Sequence, residues 1–360
     1  MIPVTILTGF LGSGKTTLLK RILNEKHGMK IAVIENEFGE ENIDNEILVQ
    51  EQGEQIVQMS NGCICCTIRG DLVRALGDLA EKKRSGELAF DRVVIETTGL
   101  ANPGPVAQTF FIDNEIADEF LLDAIITLVD AKHADNQLDE HEVVQRQVGF
   151  ADRLFVTKAD LVDEAALGEL RHRLVHMNPR APIKLVNFGD ADIKEIFDLR
   201  GFNLNAKLEI DPDFLAEDDH DHDHDHDHAH GHDHDHDHAD CDHDHGHCAH
   251  DGHAHHHHAH HDDRIKSFVY RNDRPFDPNK LEDFLGGVLQ IYGERLLRYK
   301  GVLYMKGVDR KVVFQGVHQM MGSDLAAKWL PAEKKTNKMV FIGIDLPQDL
   351  ITDGLDACLV

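Results

Sequence analysis

A glycine-rich segment close to the start of the chain limits the possible folds more than any other part of the sequence. Residues 9–16 read GFLGSGKT, a match to G-x-x-x-x-G-K-[ST], and a β-branched run at residues 4–7 leads directly into it. In a strand, loop and helix context, such glycines let backbone N–H groups surround phosphate oxygens at a helix N-terminus. A dinucleotide-binding G-x-G-x-x-G starting at Gly12 would need glycine where Thr17 stands. The pattern therefore predicts a phosphate-binding loop between the first strand and the first helix.

The side chains of this segment predict its chemistry. Lys15 can bring a positive charge to the β- and γ-phosphates, and Thr16 can offer its hydroxyl to Mg²⁺. We predict that the following residues of the loop and the helix start bind the nucleotide: Gly9, Gly12, Ser13, Gly14, Lys15, Thr16 and Thr17.

Two acidic elements later in the chain suit the same site. Glu96 ends a β-branched run and Gly99 follows it, an arrangement in which the carboxylate orders Mg²⁺ or its water while the glycine N–H meets the γ-phosphate. We predict that Thr16 and Glu96 bind Mg²⁺. The acidic run at residues 35–40 follows another predicted strand, so Glu37 joins Lys15 and Glu96 as a predicted catalytic residue; the alternative is a solvated acidic turn.

The base of the nucleotide is predicted from a short element after a strand. Thr157, Lys158 and Asp160 occupy the positions of N-K-x-D in GTP-binding proteins, with threonine in place of asparagine. A carboxylate at Asp160 can accept two hydrogen bonds from guanine, whereas adenine offers no such pair of donors. GTP is therefore favoured over ATP, with Lys158 and Asp160 binding the base. The threonine removes an amide that usually braces this loop.

Alternating strand and helix patterns in residues 3–190 predict an α/β fold, a P-loop NTPase domain with a mainly parallel sheet. Strands are predicted at residues 4–7, 31–34, 56–59, 92–97, 124–129, 154–157 and 183–186. Helices are predicted at residues 15–24, 71–83, 139–148 and 164–176. Ligands of such sheets collect at the carboxyl ends of the strands.

The second half of the chain predicts two further segments. Residues 206–263 form a linker with a low-complexity tract rich in His and Asp, which cannot build a packed core. Residues 264–360 predict a small α+β domain, with strands near 265–270, 296–306, 310–316 and 339–346 and helices near 281–289 and 348–359. The GTPase-like domain then covers residues 1–205.

Three cysteines crowd into a short segment between a predicted strand and a predicted helix. Cys63, Cys65 and Cys66 lie within four residues, a spacing that suits metal or thiol chemistry better than a disulfide framework. At least two of the thiols can converge on one soft cation if the loop curls. We predict a metal site here; a redox thiol site and a plain packed loop are the alternatives. A tetrahedral site would still need a fourth ligand.

The His/Asp tract predicts a second class of metal site. It contains 21 of the 27 histidines of the chain, and neutral imidazoles bind Zn²⁺, Ni²⁺, Co²⁺ and Cu²⁺. At about four ligands per ion it could hold roughly five ions. We take His220, His222, His224, His226 and His228 as representative ligands. The alternative is a solvated segment whose affinity for metals is incidental.

Charge and hydropathy predict the partners and the compartment. The formal net charge is -28, which disfavours nucleic acid and anionic membrane surfaces as partners and favours cations. The chain shows no apolar run of membrane-spanning length and no signal-peptide pattern at its start. We therefore expect a cytoplasmic protein in which the cysteines stay reduced.

The motifs together resemble the CobW family of metal-associated P-loop GTPases. The resemblance rests on residues 9–16, 35–40, 62–66, 96–99 and 157–160, and extends through residues 302–315 and 339–347. It implies a GTPase domain, a CobW C-terminal domain and a metallochaperone or metal-insertion function, often for zinc and in some branches for cobalt. It also assigns an internal metal site to Cys63, Cys65 and Cys66, and nucleotide and Mg²⁺ roles to Lys15, Thr16 and Glu96.

These features predict a Mg²⁺-dependent GTPase that binds zinc, or cobalt or nickel, and delivers it to a client metalloprotein. Hydrolysis needs only positioning and charge stabilisation, with no covalent intermediate. Two alternatives remain open. A nickel-insertion accessory GTPase would also combine a phosphate loop with a His-rich tract, and a metal buffer or storage protein would need only the tract.

Overall fold

The computed structural model describes residues 1–35, 68–202, 263–331 and 333–360. All of them belong to one compact unit, which comprises Met1–Leu215 and Asp262–Val360. Four elements of the prediction lie outside the described residues: the strand at 56–59, Glu37, the three clustered cysteines and the His/Asp tract.

The first half of the unit is a six-stranded sheet in which every neighbouring pair of strands is parallel. Its strands are β1 (Ile2–Gly9), β2 (Ile31–Glu35), β3 (Arg92–Glu96), β4 (Phe120–Asp130), β5 (Arg153–Thr157) and β6 (Ile183–Leu185). They are ordered β2-β3-β1-β4-β5-β6. The predicted parallel P-loop fold is thereby confirmed.

Helices cover both faces of this sheet. They are α1 (Lys15–Asn24), α2 (Ile68–Arg84), α3 (Pro103–Ile112), α4 (Asn114–Glu119), α5 (Ala134–Glu140), α6 (Glu142–Phe150) and α7 (Glu164–Met177). Successive residues of β1, Ile6 and Leu7, belong to two different apolar clusters, as expected when neighbouring side chains of a strand point to opposite faces. Because both faces of the sheet are covered, the strands are apolar at most positions and do not alternate regularly with polar residues.

The structure corrects the prediction for the helices in two places. The helix predicted at residues 139–148 is two helices, α5 and α6, separated at His141, whose backbone is extended. Two helices, α3 and α4, occupy a stretch for which no helix was predicted. Their start signals are local: Asn102 caps α3 by accepting from Gly104 N, and Pro103 stands at the first helical position. The sequence of α3 is apolar at most positions and contains two prolines, so it shows no clear helical periodicity of apolar and polar residues.

The second half of the unit is an antiparallel five-stranded sheet with two helices. Its strands are β7 (Ile265–Asn272), β8 (Leu296–Leu303), β9 (Arg310–Val317), β10 (Met320–Lys328) and β11 (Asn337–Ile344), and its helices are α8 (Pro278–Tyr292) and α9 (Gln348–Ala357). The strand order is β10-β9-β8-β11-β7. The predicted α+β domain is confirmed, but the edge strand β10 was missed because most of its residues are exposed and it lacks an apolar alternation.

The two sheets share a core through α6. A Cβ atom added to Gly149 would lie 2.8 Å from Leu297 Cδ1 and 3.2 Å from Ile265 Cγ2, so α6 packs directly against strands of the second sheet. Arg298 of β8, in the second sheet, donates to Asp152 Oδ1 in the first half of the unit at 2.8 Å. Both of these charged side chains are buried. An ion pair of this kind fixes the geometry of the contact, since removing either partner would leave a buried charge.

Asp263 anchors the point at which the described chain resumes. Its carboxylate accepts from Arg173 Nε at 2.9 Å and from Arg173 Nη2 at 2.7 Å, and both side chains are buried. A deletion that removed Asp263 together with the His/Asp tract would take away this buried partner of Arg173. Experiments on the tract therefore call for a deletion of residues 217–261, which leaves Asp263 in place.

Candidate nucleotide-binding site

The described residues of the candidate site lie at the carboxyl ends of four adjacent strands; three of these ends carry predicted residues, and the fourth carries Asp130, which was not predicted. The phosphate loop follows β1, Glu96 ends β3, Asp130 ends β4 and Thr157 ends β5, and these strands are neighbours in the sheet. The carboxyl edge of a parallel sheet is where the ligands of such folds bind.

The loop between β1 and α1 has a backbone that requires glycine. Gly9, Gly12 and Gly14 have φ angles of 144, 73 and 97 degrees, a range that disfavours other residues. At Gly9 space is limiting as well, because an added Cβ would lie 2.4 Å from Leu128 O. The glycine spacing of the motif is therefore a conformational requirement of the loop itself.

Lys15 lies inside this loop. Its ammonium donates to the carbonyl oxygens of Gly9 at 2.9 Å and of Phe10 at 3.0 Å. Burial lowers the pKa of Lys15, and the negative charge of Glu96 offsets part of that effect. The ammonium of Lys15 thus lies at the start of the helix, where phosphate oxygens would be placed.

Thr16 and Glu96 come together as predicted for a Mg²⁺ site, although they are far apart in sequence. Thr16 Oγ1 donates to Glu96 Oε1 at 3.0 Å. Thr16 is exposed and Glu96 is buried. A hydroxyl and a carboxylate are the hard oxygen ligands that Mg²⁺ prefers, so the donor set fits this ion. Ser13 Oγ, in the same loop, is buried without a hydrogen-bond partner among the described residues, as expected of a group that serves a ligand.

Gly99 lies against the phosphate loop. A Cβ added there would be 2.6 Å from Leu11 N and 2.8 Å from Leu11 Cα, so only glycine allows the two loops to touch. The side chain of Gln147, which is buried, donates to Gly99 O at 3.1 Å and to Ala101 O at 3.0 Å. Gln147 on α6 therefore positions the loop predicted to meet the γ-phosphate. The sequence analysis missed this residue, because nothing near it in sequence signals a contact with residues almost fifty positions away.

Thr157 braces the base loop by a route that the sequence did not reveal. Its hydroxyl donates to Ser13 O at 2.8 Å, which ties the end of β5 to the phosphate loop. Lys158 adopts a left-handed backbone and its ammonium donates to Asp130 Oδ2 at 2.6 Å. Burial alone would raise the pKa of Asp130, but hydrogen bonds from Lys158 and His133 outweigh it, and the pKa is lowered. Asp130 thus contacts Lys158 of the predicted site and His133 contacts Asp130, and neither of these two residues was predicted.

Replacing Thr157 with valine should weaken nucleotide binding. Valine keeps the branched shape but loses the hydrogen bond to Ser13 O, which is worth about 1 kcal/mol, or roughly fivefold in affinity. Thr157→Ser keeps the hydroxyl and is the matched control. The measurement is the dissociation constant of a fluorescent GDP analogue. A Thr157→Val protein that binds as tightly as the parent, or a serine variant as weak as the valine variant, would contradict this role.

The remaining predicted residues divide into exposed and undescribed groups. Thr17 is exposed on α1, and Asp160 is exposed in a short 3₁₀ turn after Lys158, where it is free to face a base. Glu37, Cys63, Cys65, Cys66 and the representative tract histidines lie outside the described residues. Among the residues that the structure describes, no cluster of three or more potential ligands could hold a metal ion. No described helix is long and apolar enough to cross a bilayer.

The last described strand that precedes the three cysteines in sequence ends beside the predicted Mg²⁺ ligand Glu96. Strand β2 ends at Glu35, whose partner in the parallel register with β3 is Glu96. The chain returns to the described structure at Ile68, where α2 begins. The last described residue before the cysteines, Glu35, therefore lies at the same edge of the sheet as the phosphate loop.

Comparison with known families matches both halves of the chain. Residues 3–184 match the model of the CobW/HypB/UreG nucleotide-binding domain. Residues 265–359 match the model of the C-terminal domain of the cobalamin synthesis protein CobW.

Curated relatives are similar over almost the whole chain. The zinc chaperone YjiA of Escherichia coli is 40% identical over 353 residues, which cover 97% of this chain and 96% of the relative. The zinc chaperone CobW of Pseudomonas aeruginosa is 32% identical over 389 aligned residues, covering 99% and 92%. The crystal structure of Zn(II)-bound YjiA GTPase from E. coli superposes with a TM-score of 0.73 at 36% identity and covers 100% of this chain and 99% of that one.

Proposed function

The chain belongs to the CobW/HypB/UreG family, and on that premise we propose that it is a Mg²⁺-dependent GTPase that binds zinc and passes it to a client metalloprotein. The observation that carries the proposal is the hydrogen bond from Thr16 to Glu96 beside the buried Lys15. It brings together, at one edge of the sheet, a loop that can bind phosphate and two oxygen ligands that can bind Mg²⁺. Relatives of nearly full coverage are named zinc chaperones, which supports zinc as the cargo.

The proposed chemistry needs only groups of this chain around the triphosphate. Lys15 neutralises charge on the β- and γ-phosphates, and the loop amides at Gly12 and Gly14 bind their oxygens. Mg²⁺, held by Thr16 and Glu96, would supply further neutralisation of the transferred phosphoryl group. Gly99, held in place by Gln147, offers its N–H toward the γ-phosphate. No covalent intermediate with the protein is required.

Guanine is the base that this loop suits. Asp160 is exposed at the turn after Lys158, so its carboxylate can accept from the N1–H and N2–H₂ groups of guanine. The ammonium of Lys158, in the same loop, is held by its hydrogen bond to Asp130 Oδ2. We therefore propose GTP as the substrate, with Lys158 and Asp160 as base-binding residues.

The metal part of the proposal rests on the cysteine cluster and the tract. Cys63, Cys65 and Cys66 would form the internal zinc site, with Glu37 contributing to the nucleotide or metal end of the same segment. The histidines of the tract, such as His220, would bind a reserve of metal ions. Cobalt and nickel suit the same ligand types and are tested by competition. A cytoplasmic location keeps the thiols reduced.

We propose the domain bounds 1–205 for the GTPase, 206–263 for the linker with its tract and 264–360 for the C-terminal domain. The family-model matches at residues 3–184 and 265–359 support this division. None of the described residues of the C-terminal domain belongs to the phosphate loop or the Thr16–Glu96 pair, so we propose that this domain makes the contacts to a client.

Zinc transfer coupled to hydrolysis tests the proposed function. The protein lacking residues 217–261 is loaded with one zinc ion and with GTP and Mg²⁺, and a chromogenic chelator reports released zinc while phosphate is measured in parallel. We expect zinc to appear in step with phosphate, and slowly or not at all with a non-hydrolysable GTP analogue, because hydrolysis changes the loops that hold the metal. Equal zinc release with GTP and with the analogue would reject hydrolysis-driven delivery.

A further inference from the structure

A cavity of about 510 Å³ lies between the first domain and the second sheet. The first domain contributes Asn102, Gln108, Glu142 and Arg146 to its walls, and the second half of the chain contributes Arg264, Glu294, Arg295, His318 and Gln319. The volume lies within the range of ligand pockets, roughly 300–1,000 Å³. It exceeds what a single inorganic anion would fill, and the polar lining suits a polar ligand.

The lining gathers three arginines in a protein that is strongly acidic overall. Three arginines and two glutamates, Glu142 and Glu294, line the cavity, and Asp345 outside the lining pairs with Arg264 at 3.2 Å, so the charges balance if His318 is neutral. Burial lowers the pKa of His318, which favours the neutral ring. The chain as a whole carries a formal charge of -28. An arginine without a carboxylate partner on such an acidic background attracts an anionic ligand.

Arg295 is the cation that is free to bind a ligand. Arg146 donates two hydrogen bonds to Glu142, at 2.7 and 3.0 Å, and Arg264 is shared between Glu142 and Asp345. Arg295 uses only Nε, which donates to Ile344 O at 2.9 Å. Both of its Nη atoms lack a hydrogen-bond partner in the described part of the chain. A guanidinium with two free donor atoms can donate two parallel hydrogen bonds to a carboxylate.

The other polar groups of the cavity suit peptide bonds. Asn102, Gln108 and Gln319 line it, and each side-chain amide carries both a donor and an acceptor. Such groups can pair with the N–H and C=O groups of an extended chain. A carboxylate site surrounded by amides therefore fits an acidic side chain presented on a peptide backbone better than it fits an isolated anion.

The cavity adjoins the loop predicted to sense the γ-phosphate. Asn102 lies three residues after Gly99 and caps α3, and Gln147 holds the backbone between them. On the opposite wall, His318 lies so close to α3 that a Cβ added to Gly104 would be 2.7 Å from His318 Nε2. A movement of the loop at Gly99 would therefore displace one wall of the cavity against the other.

We propose that this cavity is the docking site for an acidic segment of the client protein, whose carboxylate binds Arg295, and that the nucleotide state controls it through the loop from Gly99 to Asn102. This inference rests on the proposed function and adds the chemistry and the regulation of the client contact. A client would be held while GTP is bound and released after hydrolysis.

Pools of fluorescein-labelled pentapeptides with Glu, Gln or Lys fixed at the centre test the docking site. Anisotropy is measured with the full chain in the presence of a non-hydrolysable GTP analogue. We expect the Glu pool to bind at least tenfold more tightly than the Gln pool, and the preference to disappear in Arg295→Gln. Arg295→Glu should shift the preference to the Lys pool. Arg171→Gln, at an exposed position of α7 that does not line the cavity, is the matched control and should behave as the parent.

Four outcomes would overturn the inference. They are equal binding of the Glu and Gln pools, a preference that survives in Arg295→Gln, equal affinity of the Glu pool with GDP and with the GTP analogue, and full displacement of the peptides by millimolar N-acetylglutamate, which would identify a free small carboxylate as the ligand. GTP hydrolysis and zinc release are measured on the same samples. If both are intact while the peptide preference is absent, the docking site fails and the proposed function stands.

Discussion

Replacing Lys15 with methionine should reduce GTP hydrolysis by about 100- to 1,000-fold, the loss expected when one preorganised charge-stabilising group is removed. The Lys15 ammonium is buried in the phosphate loop and donates to two of its carbonyl oxygens. Methionine keeps the buried stem but brings no positive charge to the transferred phosphoryl group. The measurement is the single-turnover rate of phosphate release at saturating GTP and Mg²⁺.

The control for this change is Lys26→Met, the same substitution at an exposed position shortly after α1. It should hydrolyse GTP at the rate of the parent. Thermal unfolding of both variants separates a catalytic effect from a loss of structure. A Lys15→Met protein that folds normally and retains a rate within about threefold of the parent would remove Lys15 from the catalytic machinery, because a single electrostatic stabiliser is worth far more than that.

Replacing Cys63, Cys65 and Cys66 together with serine should weaken zinc binding by about 1,000-fold or more. Thiolates supply most of the affinity of zinc sites of this kind, and structural zinc sites reach about 10–16 kcal/mol. The experiment uses the protein lacking residues 217–261, since the tract histidines would otherwise bind zinc as well. The retained residues include Asp263, so the buried partner of Arg173 is kept.

Cys358→Ala is the matched control for the cysteine variants. Cys358 is buried, its thiol donates to Gly354 O at 3.1 Å, and burial raises its pKa. A thiol held in its protonated form is a poor metal ligand. Its removal should leave zinc affinity unchanged. Zinc affinity that falls equally in Cys358→Ala, or that persists in the triple serine variant, would place the metal elsewhere.

The parallel sheet and the phosphate loop could be predicted because their signals are local. The glycines of the loop are required by its own backbone angles, so their spacing in the sequence carries the structure directly. Glu96 could be placed near Thr16 because carboxyl ends of parallel strands meet at one edge, and the 3.0 Å hydrogen bond between them agrees with that reasoning.

Contacts between distant elements could not be predicted from one sequence. Gln147 holds the Gly99 loop from α6, and its role follows from the packing of α6 between two sheets, which no local pattern shows. The sequence showed that Thr157 lacks the amide that usually braces the base loop, but it did not reveal that the Thr157 hydroxyl donates to Ser13 O instead. The edge strand β10 was missed because exposure on both faces removes the alternation by which strands are found.

The central claim is that nucleotide and zinc affect each other at one edge of the sheet. Strand β2, the last described element before the cysteines in sequence, ends at that edge, where Glu35 is paired with Glu96 in the register. The most direct test is a zinc titration of the protein lacking residues 217–261 in three states: without nucleotide, with GDP and with a non-hydrolysable GTP analogue. We expect the analogue to tighten zinc binding at least tenfold relative to GDP, a coupling of about 1.4 kcal/mol. The same zinc dissociation constant in all three states would contradict the account.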